Sequence, residues 1–390
     1  MTRVVRHEHQ APPALTRAGL LLPGLGHLLT GQVVHGVGML VVTAVWLLAT
    51  VSGLPRMGEV LFDAQTGRIL PGAVVALITW VGLAGALWFA AWRLVSPRVL
   101  DDEAFNSNRE IFRRTLLRHT TGMLGAYGVA VLVLLVLLAP MIAPFDPNAV
   151  DTGPKAIAPS AMFWMGTDEL GRDVWSRILF GGRISLSIGF IAVGLSATIG
   201  TAVGAVAAYF GGLVDRVLMF LVDVLLSLPR LVLLLTIVGL FRTQGALGIL
   251  LIVVVLGVTS WMGIARIVRG EVLSLREREF VQAARALGYD AQRILFRHLI
   301  PNAMGPVMVH CSLAIGATML AEASLSFLGL GVPPPIATWG VMVDDGRSPL
   351  RSAPWISIFP GMAIMIAVLS FNLLGDGLRD AMDPKLRGHQ

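Results

Sequence analysis

Three ionisable side chains stand where charge is costly. Asp223 and Arg230 lie within the apolar phrase DVLLSLPRLVLLL, and Glu322 lies within the apolar run 304–329. A charge inside a membrane span is retained when it is paired, hydrated or used, so all three are candidates to line a translocation path. Asp223 and Arg230 have a second, structural reading. Pro229 breaks the helix beside Arg230 and frees backbone carbonyls that a guanidinium satisfies, and Asp223 sits a turn or two from the edge marked by Arg216.

Residue sets for bond-making chemistry are missing. No G-x-x-x-x-G-K-[ST] occurs, and the only lysines are Lys155 and Lys385. Without a phosphate-cradling loop and its lysine, the chain is not itself a P-loop ATPase. Neither H-E-x-x-H nor G-x-S-x-G is present, and His7, His9, His27, His35, His119, His298, His310 and His389 lack metal-ligand spacing on one helix face. Cys311 is the only cysteine and lies in an apolar run, which excludes internal disulfides and cysteine-based zinc sites and reads as core packing. The sequence thus predicts no enzyme, and no catalytic, cofactor-binding or metal-binding residue in this chain.

A different kind of site is written in 276–302, REREFVQAARALGYDAQRILFRHLIPN. Phe280, Ala283, Ala284 and Leu287 fall at i, i+3, i+4 and i+7, one apolar helix face. Gly288 follows where a left-handed C-cap is favoured, and Asp290 suits an N-cap. Ile294, Leu295, His298 and Leu299 continue a second stripe, which Pro301 ends. The spacing predicts two short helices about a glycine hinge. Such a segment rests on a membrane surface or docks in a groove on a partner protein.

The elements that must position these residues are membrane spans. Hydrophobic residues make up 55% and charged residues 14% of 390, against about 25% charged in a soluble domain. Mean hydropathy is +0.76. The chain reads as an all-α polytopic membrane protein, with spans expected at about 33–54, 72–94, 122–143, 184–210, 217–241, 247–266, 304–329 and 355–375. The net charge of +6 lies in short segments between spans, the positive-inside pattern rather than a nucleic-acid footprint. Arginines crowd 95–121 (Arg98, Arg109, Arg113, Arg114, Arg118) and 269–297 (Arg269, Arg276, Arg278, Arg285, Arg293, Arg297). Placing both in the cytoplasm gives an N-in, C-in topology, with 211–216 an inner turn and 144–183 and 330–354 outside. Arg172, Arg177 and Arg183 then fall outside, on an expected interfacial helix whose apolar face is Trp175, Ile178 and Leu179, with Arg172, Asp173, Ser176 and Arg177 opposed and the arginines snorkelling to headgroups. The first apolar run, AGLLLPGLGHLL, is short and broken by Pro23 and Gly24, so insertion is expected through uncleaved spans.

With the residues in place, a resemblance can be stated. Gln282-Ala283-Ala284, three residues, Gly288, nine residues, then His298-Leu299-Ile300-Pro301 resembles the EAA signature of ABC importer permeases. Gln282 stands where that signature has Glu, His298 where it has Ile, and Ile300 where it has Leu. The ending Arg297-His298…Pro301-Asn302 resembles the dipeptide/oligopeptide/nickel branch. So do MIAPFDPN (141–148), MGTDELGRDVWSRILFGGRISL (165–186), ASLSFLGLGVPPPIATWG (323–340) and PGMAIMIAVLSFNLLGDGLRDAMDP (360–384). The matches lie in order within about 122–388.

The resemblance implies a six-helix, type I ABC importer permease core at 122–388, preceded by a two-helix N-terminal hairpin (1–100) and a cytoplasmic linker (101–121). It implies that Glu279, Phe280, Gln282, Ala283, Ala284, Leu287, Gly288, Arg293, His298 and Pro301 couple to an ATPase, with the missing glutamate arguing against any catalytic duty. The implied partners are a second, different permease subunit, two ATP-binding subunits that hold ATP and Mg, an extracytoplasmic solute-binding protein, and lipid. The implied cargo is a di- or oligopeptide or a related small solute such as nickel, and the implied site is a bacterial or archaeal inner membrane. The hairpin lies outside the resemblance and reads as lineage-specific padding or a partner-binding module. Two rivals remain at this point. A secondary transporter predicts paired intramembrane acids and inverted repeats, neither of which is seen by eye. A membrane scaffold predicts no transport. Co-purification with a chain bearing a phosphate-binding loop separates the permease from both rivals.

Overall fold

A computed structural model describes Pro23, Leu28, residues 33–53, Val74, 77–86, Leu116, 119–241 and 245–382. The arginines of 95–118, the linker 101–121 except Leu116 and 119–121, and most of PGLGHLLTGQ lie outside the described residues. So do the expected span 72–94 beyond Val74 and 77–86, and the tail after Met382. Among the described residues the secondary structure is helical, with one isolated bridge, Thr167–Asp173. Six helices there are long and apolar enough to cross a membrane, and a bent pair makes a seventh candidate. The expected fold class, an all-α polytopic membrane protein, holds.

Contacts divide the chain into Met1–Ile142 and Ala143–Gln390. In the first unit, α1 (Val33–Gly53) lies beside α2 (Leu77–Ala86) and α3 (Thr120–Leu137), with the short α4 (Ala139–Ile142) following. Trp46 and Trp80 stack with centroids 5.9 Å apart, and each indole is satisfied: Trp46 Nε1 donates to Trp80 O, and Trp80 Nε1 to Thr50 Oγ1 at 2.8 Å. Indole donors in an apolar packing need such partners. His119 caps α3 by accepting from Gly122 N.

The second unit is built on α5 (Val174–Phe210), whose 37 residues span roughly 55 Å at 1.5 Å each, well beyond the ~30 Å hydrocarbon layer. Asp173 caps it, accepting from Ser176 N at 2.8 Å and Ser176 Oγ at 2.7 Å. The expected boundary at 184 and the separate interfacial helix are both corrected: one continuous helix starts at Val174. Next come α6 (Gly212–Ser227) and α7 (Arg230–Leu240), then α8 (Gly245–Val258) and α9 (Trp261–Arg276). The α8–α9 pair qualifies as one span, whereas α6 and α7 meet at 84°. The single span expected at 217–241 is therefore broken, because Pro229 cannot donate to Leu225 and holds Leu228 extended (ψ 132°). Small residues bring α5 against α9: a Cβ on Gly200 or Gly204 would collide with Trp261 O or Ala265 O.

The chain continues through α10 (Glu279–Ala286), α11 (Ala291–Ile294), a π-helical turn (Leu295–Leu299) and α12 (Ile300–Phe327), then α13 (Trp339–Asp345) and α14 (Trp355–Met382). The stretch Ala291–Phe327 counts as one candidate span. Pro301 thus opens α12 rather than ending a separate short helix. Proline is tolerated at a first helical turn, where its missing N–H removes little, and the π-turn before it accommodates the register change.

Candidate functional site

The 276–302 segment is anchored to the rest of the second unit by five buried apolar residues. Val281, Ala284, Ile294, Leu295 and Leu299 join Ala205, Ala208, Ile264, Val268, Val272, Ala303 and Val307 in one core cluster. The periodicity put Phe280, Ala283, Ala284 and Leu287 on one apolar face, for a membrane surface or a partner's groove. Only Ala284 of these is buried, and its partner is Val281, at 0% exposure. Phe280 is 41% and Leu287 73% exposed, with Ala283 exposed beside them and Phe296 across the hinge at 67%. The apolar residues divide between an inward pair that fixes the helix and an outward, exposed set.

The hinge is a complete helix-ending motif. Gly288 has φ +78°, Tyr289 N donates to Ala284 O at 3.1 Å, and Gly288 N donates to Arg285 O at 2.9 Å. These are the two bonds of a Schellman cap, with glycine in the left-handed position. Asp290 takes the extended N-cap conformation but caps through its backbone only. Arg293 lies 4.2 Å from the Tyr289 ring centroid, and Tyr289 stacks on His298 at 6.1 Å. Glu279, Gln282 and Pro301 are exposed, and Gln282 Nε2 reaches back to Glu277 O at 3.1 Å. The ten residues read as coupling residues therefore lie on one continuous segment, from α10 to the first turn of α12.

Asp223, Arg230 and Glu322 are not gathered at one point. Arg266 Nη2 pairs with Asp223 Oδ1 at 2.5 Å, both half exposed. Arg230 Nη2 donates to Ser260 Oγ at 2.6 Å, so its partner is a hydroxyl on the α8–α9 junction rather than the backbone carbonyls expected at the Pro229 break. Glu322 is 2% exposed and accepts from Ser326 Oγ at 3.0 Å and Thr338 Oγ1 at 2.9 Å. It ties α12 to the N-cap of α13 and faces no open space in this chain.

A second polar constellation escaped the sequence reading. Arg172 Nε binds Asp168 Oδ2 at 2.6 Å, and Arg177 Nη2 binds Asp345 Oδ2 at 3.1 Å. Arg177 is 2% exposed at the side chain. The snorkelling expected of Arg172 and Arg177 is corrected, because carboxylates 4 to 173 residues away already neutralise them. Arg183 instead lies over the Phe180 ring at 5.7 Å. Burial pushes the Asp345 carboxyl up from its ordinary value, and Arg177 and Arg172 pull it back. Around the cluster, Trp355 Nε1 donates to Thr167 O and Trp339 Nε1 to Ile178 O.

A family model for the "Binding-protein-dependent transport system inner membrane component" matches residues 200–388, and one for the "N-terminal TM domain of oligopeptide transport permease C" matches 107–159. The glutathione transport system permease protein GsiD of Pectobacterium atrosepticum is 40% identical over 292 residues, 75% of this chain and 95% of its own length. The chain belongs to this permease family. The dipeptide transport system permease protein DppC of Alkalihalophilus pseudofirmus is 37% identical, covering 72% of this chain and 90% of its own. The oligopeptide transport system permease protein OppC of Bacillus subtilis is 39% identical, covering 71% and 90%. The permease is thus a multi-pass inner-membrane subunit of an ABC importer and not an enzyme: in this family ATP is hydrolysed by separate subunits, and a binding protein presents the solute. The aligned length leaves roughly a quarter of the permease without counterpart in these relatives.

Proposed function

We propose that the permease imports peptides, with the 276–302 segment as the mechanical link to an ATP-binding subunit. The supporting observation is the exposed apolar set Phe280, Ala283, Leu287 and Phe296 on a segment whose other face is locked into the core. Exposed apolar residues at helical spacing, on a short amphipathic helix, suit insertion into a protein groove. The Ala291–Phe327 stretch runs on from that segment into the spans, so a displacement at α10 is transmitted by a continuous helix. The assembly we envisage has a second, different permease subunit, two ATP-binding subunits that hold ATP and Mg, and a solute-binding protein. Its topology is N-in and C-in, with α10 in the cytoplasm. The names of the relatives, for dipeptides, oligopeptides and glutathione, support a peptide cargo over nickel.

Gly288→Val tests the link. Space around Gly288 is open, but its φ of +78° is strained for a β-branched residue. The variant is expected to insert and to keep its core, while ATPase subunits no longer co-purify with it or ATP-driven uptake is lost. A Gly288→Val permease that transports at the wild-type rate rules the link out.

A further inference from the structure

Two features of the seam between α6, α7 and α9 point the same way. Non-helical backbone inside a bilayer is kept where it is buried in protein or lines water, and the 84° break at Leu228–Pro229 is such a site. Next to it, the Asp223–Arg266 pair is 60% and 53% exposed, on helices that also carry the exposed Arg216 and the Asp215–Arg269 pair. Charges on membrane-spanning helices turn toward water or protein rather than lipid. Ser260 lies near the midpoint of the Gly245–Arg276 span, so the seam reaches about halfway along that span.

Arg230 is the unfinished group in this seam. It is exposed, and its Nη2 donates to Ser260 Oγ at 2.6 Å, while Ser260 Oγ itself donates to Leu256 O at 2.6 Å. Ser260 therefore orients the guanidinium without neutralising it. The carboxylate of Asp223 is held by Arg266. Among the described residues Arg230 is ion-paired with no carboxylate, and most of its five N–H donors stay uncommitted. A fixed, uncompensated guanidinium on an exposed, charge-bearing seam is a receptor for a carboxylate, which it can bind through two parallel hydrogen bonds. Dipeptides, oligopeptides and glutathione all carry a free carboxylate. We infer that Arg230, positioned by Ser260, is a transit site for the carboxylate of the peptide in passage. This rests on the importer reading and names a substrate contact within it.

The test uses the full complex in proteoliposomes, with uptake of alanyl-alanine and of alanyl-alanine amide each normalised to the loaded binding protein. Arg230→Gln is expected to slow the free dipeptide about tenfold, the worth of a charge-assisted contact, and to leave the amide unchanged. Arg230→Lys should recover part of the loss. Ser260→Ala, which keeps the charge and removes its orienting acceptor, should lower the free-to-amide ratio by a smaller factor and covers the case in which Arg230→Gln does not assemble. Equal slowing of both peptides overturns the inference and marks Arg230 as a structural or lipid-phosphate anchor. An unchanged ratio in all variants also overturns it, as does a wild-type complex that moves neither peptide. Uptake independent of ATP, or a complex lacking ATP-binding subunits, instead overturns the importer reading.

Discussion

Two regions rich in charge among the described residues use it in opposite ways. In the loop region of 144–185 and 337–357, arginines and aspartates face inward: Arg172 and Arg177 meet Asp168 and Asp345, and indoles donate to backbone carbonyls. In 276–302 the charges stay on the surface, and four apolar side chains stay there with them. The first region pairs its ions with its own atoms, although the buried Asp173 Oδ1, Trp175 Nε1 and Arg177 Nη1 have no hydrogen-bond partner among the described residues. The second leaves Phe280 and Leu287 exposed, as the docking role proposed for it requires. Charge density alone therefore says little about function, and what distinguishes a scaffold from a docking segment is whether the polar and apolar groups are already satisfied within the chain.

That contrast breaks most visibly at Arg177. Replacing Arg177 with Ala leaves Asp345 with only the longer contact to Arg172, at 3.4 Å, inside a mostly buried cluster. Removing one partner of a fully buried pair costs about 3–5 kcal/mol; because Asp345 is 37% exposed, the expected loss is about 1–3 kcal/mol. Unfolding of the detergent-solubilised permease should show a loss of that order, with a double-mutant cycle against Asp345→Ala showing strong coupling. A loss below about 1 kcal/mol would mean that the cluster is no more than a surface network.

Val281 and Leu287 sharpen the contrast on a single helix. Val281→Ala removes a fully buried side chain and is expected to cost about 1–2 kcal/mol of stability. Leu287→Ala removes an exposed one, and stability should move by no more than about 0.5 kcal/mol. Association with the ATP-binding subunits should respond in the opposite order, with Leu287→Ala weakening it about tenfold, the scale of an interface anchor. Equal effects of both substitutions on association would remove the distinction between the anchored and the waiting face.

How much of this was legible beforehand depended on the range of the signal. The left-handed cap at Gly288 is a local device and was read from four neighbouring residues. The break at Pro229 was visible for the same reason, because a missing N–H acts on its own helix. The burial of Val281 in place of Phe280 and Leu287 was not legible, since a helix with apolar residues on two faces does not say which one meets the core. Nor was the ion cluster, because Arg177 and Asp345 are 168 residues apart and each looks alone like a solvated charge. Asp223 was singled out from its apolar surroundings, yet its partner Arg266 needed the α6–α9 packing to be seen.

The smallest effects are expected at the two ion pairs joining α6 to α9, and they isolate exposure from chemistry. Both use an aspartate of α6 and an arginine of α9. Arg269 grips Asp215 through two donors, Nε at 2.5 Å and Nη2 at 2.6 Å, with both side chains about a third exposed or less. Arg266 holds Asp223 through one donor, with both more than half exposed. Bidentate geometry and lower exposure favour the first, so Asp215→Asn should cost about 1 kcal/mol, and Asp223→Asn under about 0.5 kcal/mol. Added salt should shrink the first loss little and erase the second. If instead Asp223→Asn leaves stability intact but slows transport more than Asp215→Asn does, the exposed pair belongs with Arg230 to the surface that a substrate passes, and its weakness as a structural contact is what leaves it free for that role.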